Sequence, residues 1–289
     1  MRPELVQASE LLKRDTPEAI EAAIGLLQDT VFSFSMKMCG HREDAEDTMQ
    51  DVLFRSLKHL SRIQDPNSLA AWLYTVTRNR CRRMRRGHHE VERKGLSLDE
   101  LIPDNEELRA LLVEREEGPE SRTIRKEEYR LLHEAVLRVP TPLRMVLVLH
   151  DMEELTSEEI AGILGLQAGT VRVRLHRARL AVRKEMTALL KGLPERRPRA
   201  AKPVPERPQE CRELFANLSE YLDGRMETST CEKMRAHIER CPECVAFLRD
   251  LRAAIDRCRS LSIACDPAVA QRMRTLMTQE YLRLIQPAK

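Results

Sequence analysis

The sequence predicts an all-α protein, and three observations support this prediction. Charged residues make up 33% of the 289 residues, and many of them lie between leucines at helical spacing. Aromatic residues make up only 3%, so a core must consist of Leu, Ile, Val, Ala and Met. No sustained alternation of apolar and polar residues indicates strands. At this length we expect two or three domains, each with its own core.

Charge is distributed unevenly along the chain. The net charge is only +3, but residues 78–86 and 172–184 are rich in arginine, whereas residues 98–120 are acidic. This pattern predicts local basic faces on a nearly neutral molecule. The N-terminus lacks an apolar signal core, and no apolar run approaches the roughly 18 residues that span a bilayer. Eight cysteines in such a chain favour reduced thiols or metal ligands over disulfides, so we expect a cytoplasmic protein.

Predicted helical blocks alternate with predicted linkers along the chain. Residues 10–86 show several amphipathic helices, followed by a segment with broken periodicity to residue 125 that we predict to be a linker with at most a short helix. A second helical block covers 126–191. The proline-rich basic segment 192–209 predicts a semi-extended tether. The last block, 210–286, is helical and contains six of the eight cysteines.

Residues 155–186 have the pattern of a helix-turn-helix. Thr156 or Ser157 is a suitable cap for a first helix that ends at Gly165, and Thr170 is a suitable cap for a second helix. Arginines at the start of such a second helix can reach guanine edges and phosphates in the major groove. A solvated basic helix in an ordinary bundle is the alternative. The helix places Arg172, His176, Arg179 and Arg183 near one face, with Arg174 and Arg177 at its flanks.

A second basic stretch, residues 69–86, places Trp72 and Tyr74 just before an arginine-rich helical end. Aromatic side chains beside arginines suit unpaired bases, because stacking tolerates any base and the guanidinium stacks as well. The alternative interpretation is that Trp72 belongs to the core and the arginines face solvent.

The two basic stretches occur in a familiar order. "DAEDTMQDVLFRSLKHL" precedes "AAWLYTVTRNRCRRMRR", an acidic linker and "EEIAGILGLQAGTVRVRLHRAR". Over about residues 10–190 this order resembles the two-domain sigma factors of the extracytoplasmic-function (ECF) family. The resemblance implies two helical sigma domains joined by a flexible linker, the second a helix-turn-helix. It also implies promoter recognition together with core RNA polymerase, without catalysis by this chain.

The resemblance implies a role for three groups of residues. Val173 departs from the small polar residue that is usual at its position, so the particular −35 sequence is not predicted. The implied polymerase-binding residues are Asp44, Glu46, Asp47, Gln50 and Asp51; those for the −10 element are Trp72, Arg78, Asn79, Arg80, Arg82 and Arg83; and those for the −35 element are Thr170, Arg172, Arg174, His176, Arg177 and Arg179.

The stretch "HIERCPEC", residues 237–244, has metal-ligand spacing. On a helix, His237 and Cys241 lie about one turn apart on the same face. Pro242 suits the first position of a next helix, where backbone N–H groups and the helix dipole favour thiolates at Cys241 and Cys244. A tetrahedral zinc site needs a fourth ligand, although iron or copper also fits such donors. The alternative is that these cysteines are small core residues. Candidates for the fourth ligand are Cys211, Cys231, Cys258 and Cys265.

The block "CRELFANLSEYLDGRM…HIERCPEC" resembles the zinc-binding anti-sigma domains over about residues 209–250. The resemblance implies that Cys211, His237, Cys241 and Cys244 bind one Zn²⁺. Cys231, Cys258 and Cys265 remain without an assigned role.

Together these patterns predict a sigma factor with its regulatory domain fused in cis. A tether gives the zinc domain an effective concentration on the order of millimolar, so a weak intramolecular contact with the sigma domains keeps the factor mostly closed. Redox or metal changes at the site are the expected signal. The predicted domains are 1–90, the first sigma domain; 91–125, an acidic linker; 126–191, the helix-turn-helix domain; 192–209, a proline-rich basic linker; and 210–289, a small helical zinc-binding domain with a C-terminal helix.

Two other functions are compatible with the sequence. In one, the zinc domain of a sigma factor only mediates oligomerisation or partner binding. In the other, the chain is a metal-responsive regulator that binds duplex DNA through its helix-turn-helix alone. An enzyme is not expected, because the chain has no phosphate-binding loop and no nucleophile–base set, and the four zinc ligands leave no open position.

Overall fold

The computed structural model describes residues 2–14, 16–60, 63, 65–85, 98–112, 122–192 and 208–285. Within these ranges the regular structure is helical and contains no strand, as the sequence predicted. None of the described helices is both long and apolar enough to cross a membrane. In chain order the helices are α1 (Pro3–Leu12), α2 (Pro17–Cys39), α3 (Arg42–Leu60), α4 (Pro66–Arg85), α5 (Leu98–Leu101), α6 (Asn105–Leu112), α7 (Arg122–Arg138), α8 (Thr141–Leu147), a π-helical turn (Val148–Met152), α9 (Ser157–Leu164), α10 (Ala168–Leu190), α11 (Gln209–Leu222), α12 (Thr228–Ile238), α13 (Pro242–Ser260) and α14 (Pro267–Ile285).

The chain divides into two compact units. Unit 1 combines Met1–Val91, Val148–Ala168 and Ser262–Lys289, and unit 2 combines Glu92–Leu147 and Gly169–Leu261. Each unit therefore draws on more than one of the domains predicted from sequence, and those domain boundaries stay predictions. Most of the predicted proline-rich tether, residues 193–207, lies outside the described residues.

Unit 1 is built around α2. Thr16 caps this helix by accepting a hydrogen bond from the N–H of Ala19, and Pro17 fits the first turn, where no N–H donor is needed. Gly40, with a φ of 80°, ends the helix in the left-handed conformation. α1, α3, α4 and α14 pack against α2. The apolar stripe of α3 is fully buried, as its spacing predicts: Ala45, Met49, Val52, Leu53 and Leu57.

Unit 2 contains α5 to α8 and α10 to α13. Its aromatic contact is an edge-to-face pair of Phe215 and Phe247, with ring centroids 5.0 Å apart. α6 packs on α13 and buries Leu108, so the predicted linker contains short helices with a packing role. The cap expected at Thr170 is not observed, because the chain re-enters helical conformation at Ala168 and Thr170 is the third residue of α10.

Candidate metal centre and nucleic-acid interfaces

Four side chains from α11, α12 and α13 converge in unit 2. The ligand atoms of Cys211, His237, Cys241 and Cys244 all lie within 4.8 Å of one another. His237 Nε2 is 3.4 Å from Cys211 Sγ and 3.3 Å from Cys244 Sγ. The Sγ atoms of Cys211 and Cys244 are 3.8 Å apart. In a tetrahedron with metal–sulfur distances of about 2.3 Å and metal–nitrogen distances of about 2.0 Å, ligand atoms are separated by about 3.5–3.8 Å. The donor types and spacings therefore suit zinc.

The corner between α12 and α13 positions three of these side chains. α12 ends at Ile238, one residue after His237, and α13 begins at Pro242. Cys241 occupies the cap position in extended conformation, and Cys244 is the third helical residue. The sequence predicted this local geometry. The thiolate expected at Cys244 from the start of the helix is not favoured by the protein groups alone: burial raises the pKa of this thiol, and the neighbouring Cys241 and Cys211 raise it further. A cation among these thiols would reverse that effect by stabilising the thiolates.

Glu210 is a contact that the sequence reasoning missed. Its Oε2 lies 3.3 Å from His237 Nδ1, on the side of the ring opposite to the thiols. A carboxylate at this position fixes the orientation of a ligating imidazole. The only available signal was its position directly before Cys211.

The other cysteines of this part of the chain lie outside the cluster. Cys258 and Cys265 are buried, and Cys231 is half-buried on α12. Burial is also the main cause that raises the pKa of Cys265. None of the three belongs to a potential metal-binding group among the described residues.

The predicted DNA-binding residues of α10 divide into two groups. His176, Arg179 and Arg183 are buried, whereas Thr170 and Arg177 are exposed and Arg172 and Arg174 are partly exposed. Val173, the position that departs from the family pattern, is exposed with the second group. The buried group includes most of the stripe that the sequence placed on one face of the helix.

Acidic residues of α11 and α13 contact the buried stripe. Arg179 is completely buried and donates to both carboxylate oxygens of Asp223, at 3.0 and 2.8 Å. Arg183 Nε donates to Asp250 at 2.6 Å, and its guanidinium lies 4.7 Å from the centroid of the Phe247 ring. The Nε of Arg172 lies 3.9 Å from a carboxylate oxygen of Glu220. These acidic partners were not predicted, since they lie 40 or more residues away in sequence.

His176, the histidine of α10, has a lowered pKa in this environment. Its Nδ1 lies 3.0 Å from the hydroxyl of Ser219 on α11. Burial, together with the charges of Arg179 and Arg177, lowers the pKa of His176 to about 4. The imidazole is therefore neutral near pH 7 while this contact persists.

In unit 1, α3 and α4 enclose a cavity of about 500 Å³. Trp72 is half-buried there, and its ring centroid is 5.4 Å from that of His59. Phe54 is 54% exposed at this cavity, so an apolar surface is open beside basic groups. The sequence indicated Trp72, Asn79 and Arg83 but missed the contribution of α3. The lining residues are Phe54, Arg55, His59, Trp72, Val76, Asn79 and Arg83.

Arg78 and Arg80, which were also predicted for the −10 element, have protein partners. Arg78 donates to the carbonyl of Ile163 at 2.6 Å and to the side chain of Asn79 at 2.9 Å. Arg80 lies 3.4 Å from the carboxylate of Asp51. Arg83 is exposed and contacts only the carbonyl of Asn79 in the same helix among the bonds described. The side chain of Arg82 lies outside the described part of the structure.

The residues predicted to bind polymerase lie along α3. Asp47 and Gln50 are exposed, and Asp44 is partly exposed. Glu46 accepts a hydrogen bond from Arg42, and Asp51 accepts one from Arg55, each at 3.0 Å. The structure therefore presents an acidic helix surface, without testing what it binds.

Three sequence families match this chain. Residues 24–90 match Sigma-70 region 2, residues 129–182 match Sigma-70, region 4, and residues 211–244 match a putative zinc finger. The ECF RNA polymerase sigma factor SigW of Bacillus subtilis is 26% identical over 184 residues, which cover 62% of this chain and 94% of SigW. Sigma-70 regions 2 and 4 thus both match this chain, and the chain is similar to ECF RNA polymerase sigma factors.

Two further relatives agree with this assignment. The RNA polymerase sigma factor YlaC of Bacillus subtilis is 29% identical over 170 residues, which cover 59% of this chain and 93% of YlaC. The probable RNA polymerase sigma factor RfaY of Xanthomonas campestris is 30% identical over 159 residues. That alignment covers 55% of this sigma-family chain but only 38% of RfaY. The three matched segments confirm a sigma factor with a C-terminal zinc-finger region.

Proposed function

We propose that this ECF sigma factor directs core RNA polymerase to specific promoters and that its zinc-binding segment regulates it in cis. The acidic surface of α3 would bind polymerase. The cavity between α3 and α4 would hold an unpaired base of the −10 element, because Trp72 and His59 offer stacking faces and Arg83 offers charge. The exposed residues Thr170 and Arg177 and the partly exposed Arg174 of α10 would contact the −35 element.

The proposed metal is one Zn²⁺ held by Cys211, His237, Cys241 and Cys244. When bound, it would supply a structural cross-link between α11, α12 and α13, and four protein ligands leave no position for catalysis. The distances between the donor atoms support this assignment, and Glu210 would orient the imidazole of His237.

The observation that carries the autoinhibition proposal is the burial of Arg179. This residue belongs to the helix that would bind the −35 element, but its guanidinium is fully buried and bidentate with Asp223 of the zinc segment. Arg183 is held similarly by Asp250. The carboxylates would take the place of DNA phosphates at these arginines, because a guanidinium binds carboxylates and phosphates through the same paired N–H donors. In this state those arginines are not available to DNA.

The C-terminal helix supports the same proposal within unit 1. α14 packs on α2 and α3 and buries Met277 and Tyr281. Its Arg274 interacts with the half-buried Asp29 of α2, whose pKa is raised by burial and partly restored by that arginine. Met277 and Tyr281 thus face the helices that include the proposed polymerase-binding surface.

The test compares full-length variants in promoter-specific transcription with core polymerase. Asp223→Asn combined with Asp250→Asn removes the carboxylates that pair with Arg179 and Arg183, so we expect at least a tenfold gain in transcription. Asp256→Asn is the matched control, because Asp256 lies on the surface of α13 and contacts Arg259 of the same helix. A loss of transcription in the double variant would instead indicate that the zinc segment recruits a partner.

Pull-down of core polymerase separates the sigma assignment from autoinhibition. A sigma factor requires polymerase for tight promoter binding, whereas a metal-responsive regulator binds duplex DNA alone. If the double variant binds duplex DNA tightly and never captures polymerase, the sigma function is wrong for this chain.

Metal loss is the proposed signal. Chelation, or oxidation of the ligand thiols by peroxide, would remove the cross-link between α11 and the α12–α13 corner and so release α10. We expect Cys211→Ser to raise transcription and to make it insensitive to both treatments. If wild type and Cys211→Ser respond equally to chelator and peroxide, the metal is not the switch.

A further inference from the structure

We propose that a second latch, built on Glu153 and Arg78 and independent of the zinc segment, ties the start of region 4 to region 2. The latch consists of the π-helical turn and α9, docked on α2 and α4 within unit 1. It concerns the closed state proposed above, but it rests on different residues and on no metal.

Glu153 is the centre of the latch. Its carboxylate is fully buried and lies 2.9 Å from Nζ of Lys37, which is fully buried on α2. The same carboxylate accepts a hydrogen bond from the hydroxyl of Tyr74 on α4 at 2.7 Å, and Nε of Arg2 lies 3.1 Å away. Three separate segments of the N-terminal region therefore supply donors to one residue of region 4. Burial and this carboxylate raise the pKa of Tyr74, which keeps its hydroxyl a donor.

The backbone around Glu153 departs from regular α-helical conformation at two positions. The N–H of Glu153 donates to the carbonyl of Val148, five residues earlier, at the end of a π-helical turn. Glu154 follows with a φ of 59°, in the left-handed region that residues other than glycine rarely adopt. Such local strain persists only where the surrounding contacts stabilise it. Here the stabilising contacts are those of Glu153.

Arg78 provides the second contact of the latch. Its Nη1 donates at 2.6 Å to the carbonyl of Ile163, in the last turn of α9. Carbonyls in the last turn of a helix have no intrahelical partner and carry partial negative charge, so a guanidinium is favoured there. Arg78 was predicted to contact the −10 element, but in this state its guanidinium binds the end of α9.

The chemistry of the contact favours a reversible latch over a permanent core. A buried ion pair contributes little net stability compared with apolar packing of the same volume, whereas its separated partners are well hydrated. Lys37, Glu153 and Arg78 therefore suit an interface that opens at modest cost. No residue of α11, α12 or α13 belongs to these contacts as described, so metal loss alone would leave them intact.

Hydrogen–deuterium exchange on the full-length zinc-loaded protein tests the latch without polymerase or DNA. In Glu153→Gln, Lys37 loses its buried partner, and we expect exchange in 148–164 to rise on the order of 100-fold. In Arg78→Ala the loss of one charged hydrogen bond should raise exchange in α9 about fivefold. Arg83→Ala is the matched control, because it removes the same charge from the exposed side of α4 without a contact to α9.

The same experiment on Cys211→Ser separates the two closures. The latch proposal expects exchange to rise in α11 to α13 while α9 keeps its protection. The proposal is overturned if α9 in Cys211→Ser exchanges as fast as in Glu153→Gln, or if Arg78→Ala and Arg83→Ala do not differ. Where Glu153→Gln also exposes α1 to α3, the Arg78→Ala comparison decides the outcome by itself. Because no polymerase is present, a failure here leaves the sigma function untouched.

Discussion

At the scale of single residues, charge burial distinguishes two classes of arginine on α10. Arg177 is exposed, whereas Arg179 is fully buried against Asp223. The sequence predicted both as DNA-binding residues, because both lie on a basic helix with suitable spacing. What it could not predict is a carboxylate 44 residues away that pairs with one of them.

His176 makes the contact between α10 and α11 sensitive to acid. Its pKa is about 4 in the contact and returns towards the ordinary 6.5 when the contact opens. A depressed histidine pKa favours the contact above pH 6.5 and weakens it as the pH falls towards 4. At pH 5.5 the opening equilibrium should rise about tenfold relative to pH 7.5. Amide NMR signals of α11 measure this shift, with the zinc content followed in the same samples.

His176→Gln is the control for this pH effect. Glutamine keeps a polar group near Ser219 but does not titrate, so the opening equilibrium of α11 should change little between pH 7.5 and 5.5. An equal pH response in wild type and His176→Gln would assign the effect to other groups, such as the zinc ligands.

At the scale of elements, local sequence signals determine where several helices begin and end. α9 has a complete capping box: Thr156 accepts from the N–H of Glu159, and the Glu159 carboxylate accepts from the N–H of Thr156. Gly165, with a φ of 66°, ends the helix. Such signals act within three or four residues, which is why these boundaries and the Cys241–Pro242 corner were predictable.

The capping box gives a stability prediction for α9. Thr156→Ala removes the side-chain acceptor, so we expect the free energy of unfolding to fall by about 1 kcal/mol. Thr156→Ser keeps the acceptor oxygen, so its free energy of unfolding should fall by only a few tenths of about 1 kcal/mol. Urea denaturation of the full-length variants, monitored by circular dichroism, measures both. A Thr156→Ala protein as stable as Thr156→Ser would show that the cap contributes nothing.

Other elements followed no local signal. The π-helical turn at Val148–Met152 begins within the apolar run "MVLVLH", whose local pattern is compatible with an ordinary buried helix. Glu153, the residue directly after the turn, contacts Lys37 and Tyr74, which are 116 and 79 positions away. α14 is a similar case, because it packs on α2 and α3, helices more than 200 residues earlier in the chain.

At the scale of the whole molecule, the metal should stabilise one part of the chain and not another. Phe215, Phe247 and the metal cluster form much of the core that joins α11 to α13, so zinc removal should expose this segment. We expect fast amide exchange in residues 209–260 after chelation, while α2 to α4 keep their protection because their core is apolar.

Cys231→Ser is the control for the chelation experiment. Cys231 lies on α12 near the site but outside the cluster, so its substitution should leave zinc stoichiometry and exchange unchanged. Uniform exchange across the chain after chelation would show that the metal stabilises the whole molecule instead.

The sequence by itself determined the helical class, the apolar stripe of α3, the corner that positions His237, Cys241 and Cys244, and the family. Each of these depends on periodicity, on capping or on motifs a few residues long, and such signals act locally. Only the tertiary structure decided which arginines of α10 are covered, where α14 packs and what Glu153 contacts. These features depend on pairs of charged or apolar groups that are far apart in the chain. A charged group acquires its partner only when the chain folds, because desolvation then makes an unpaired buried ion costly.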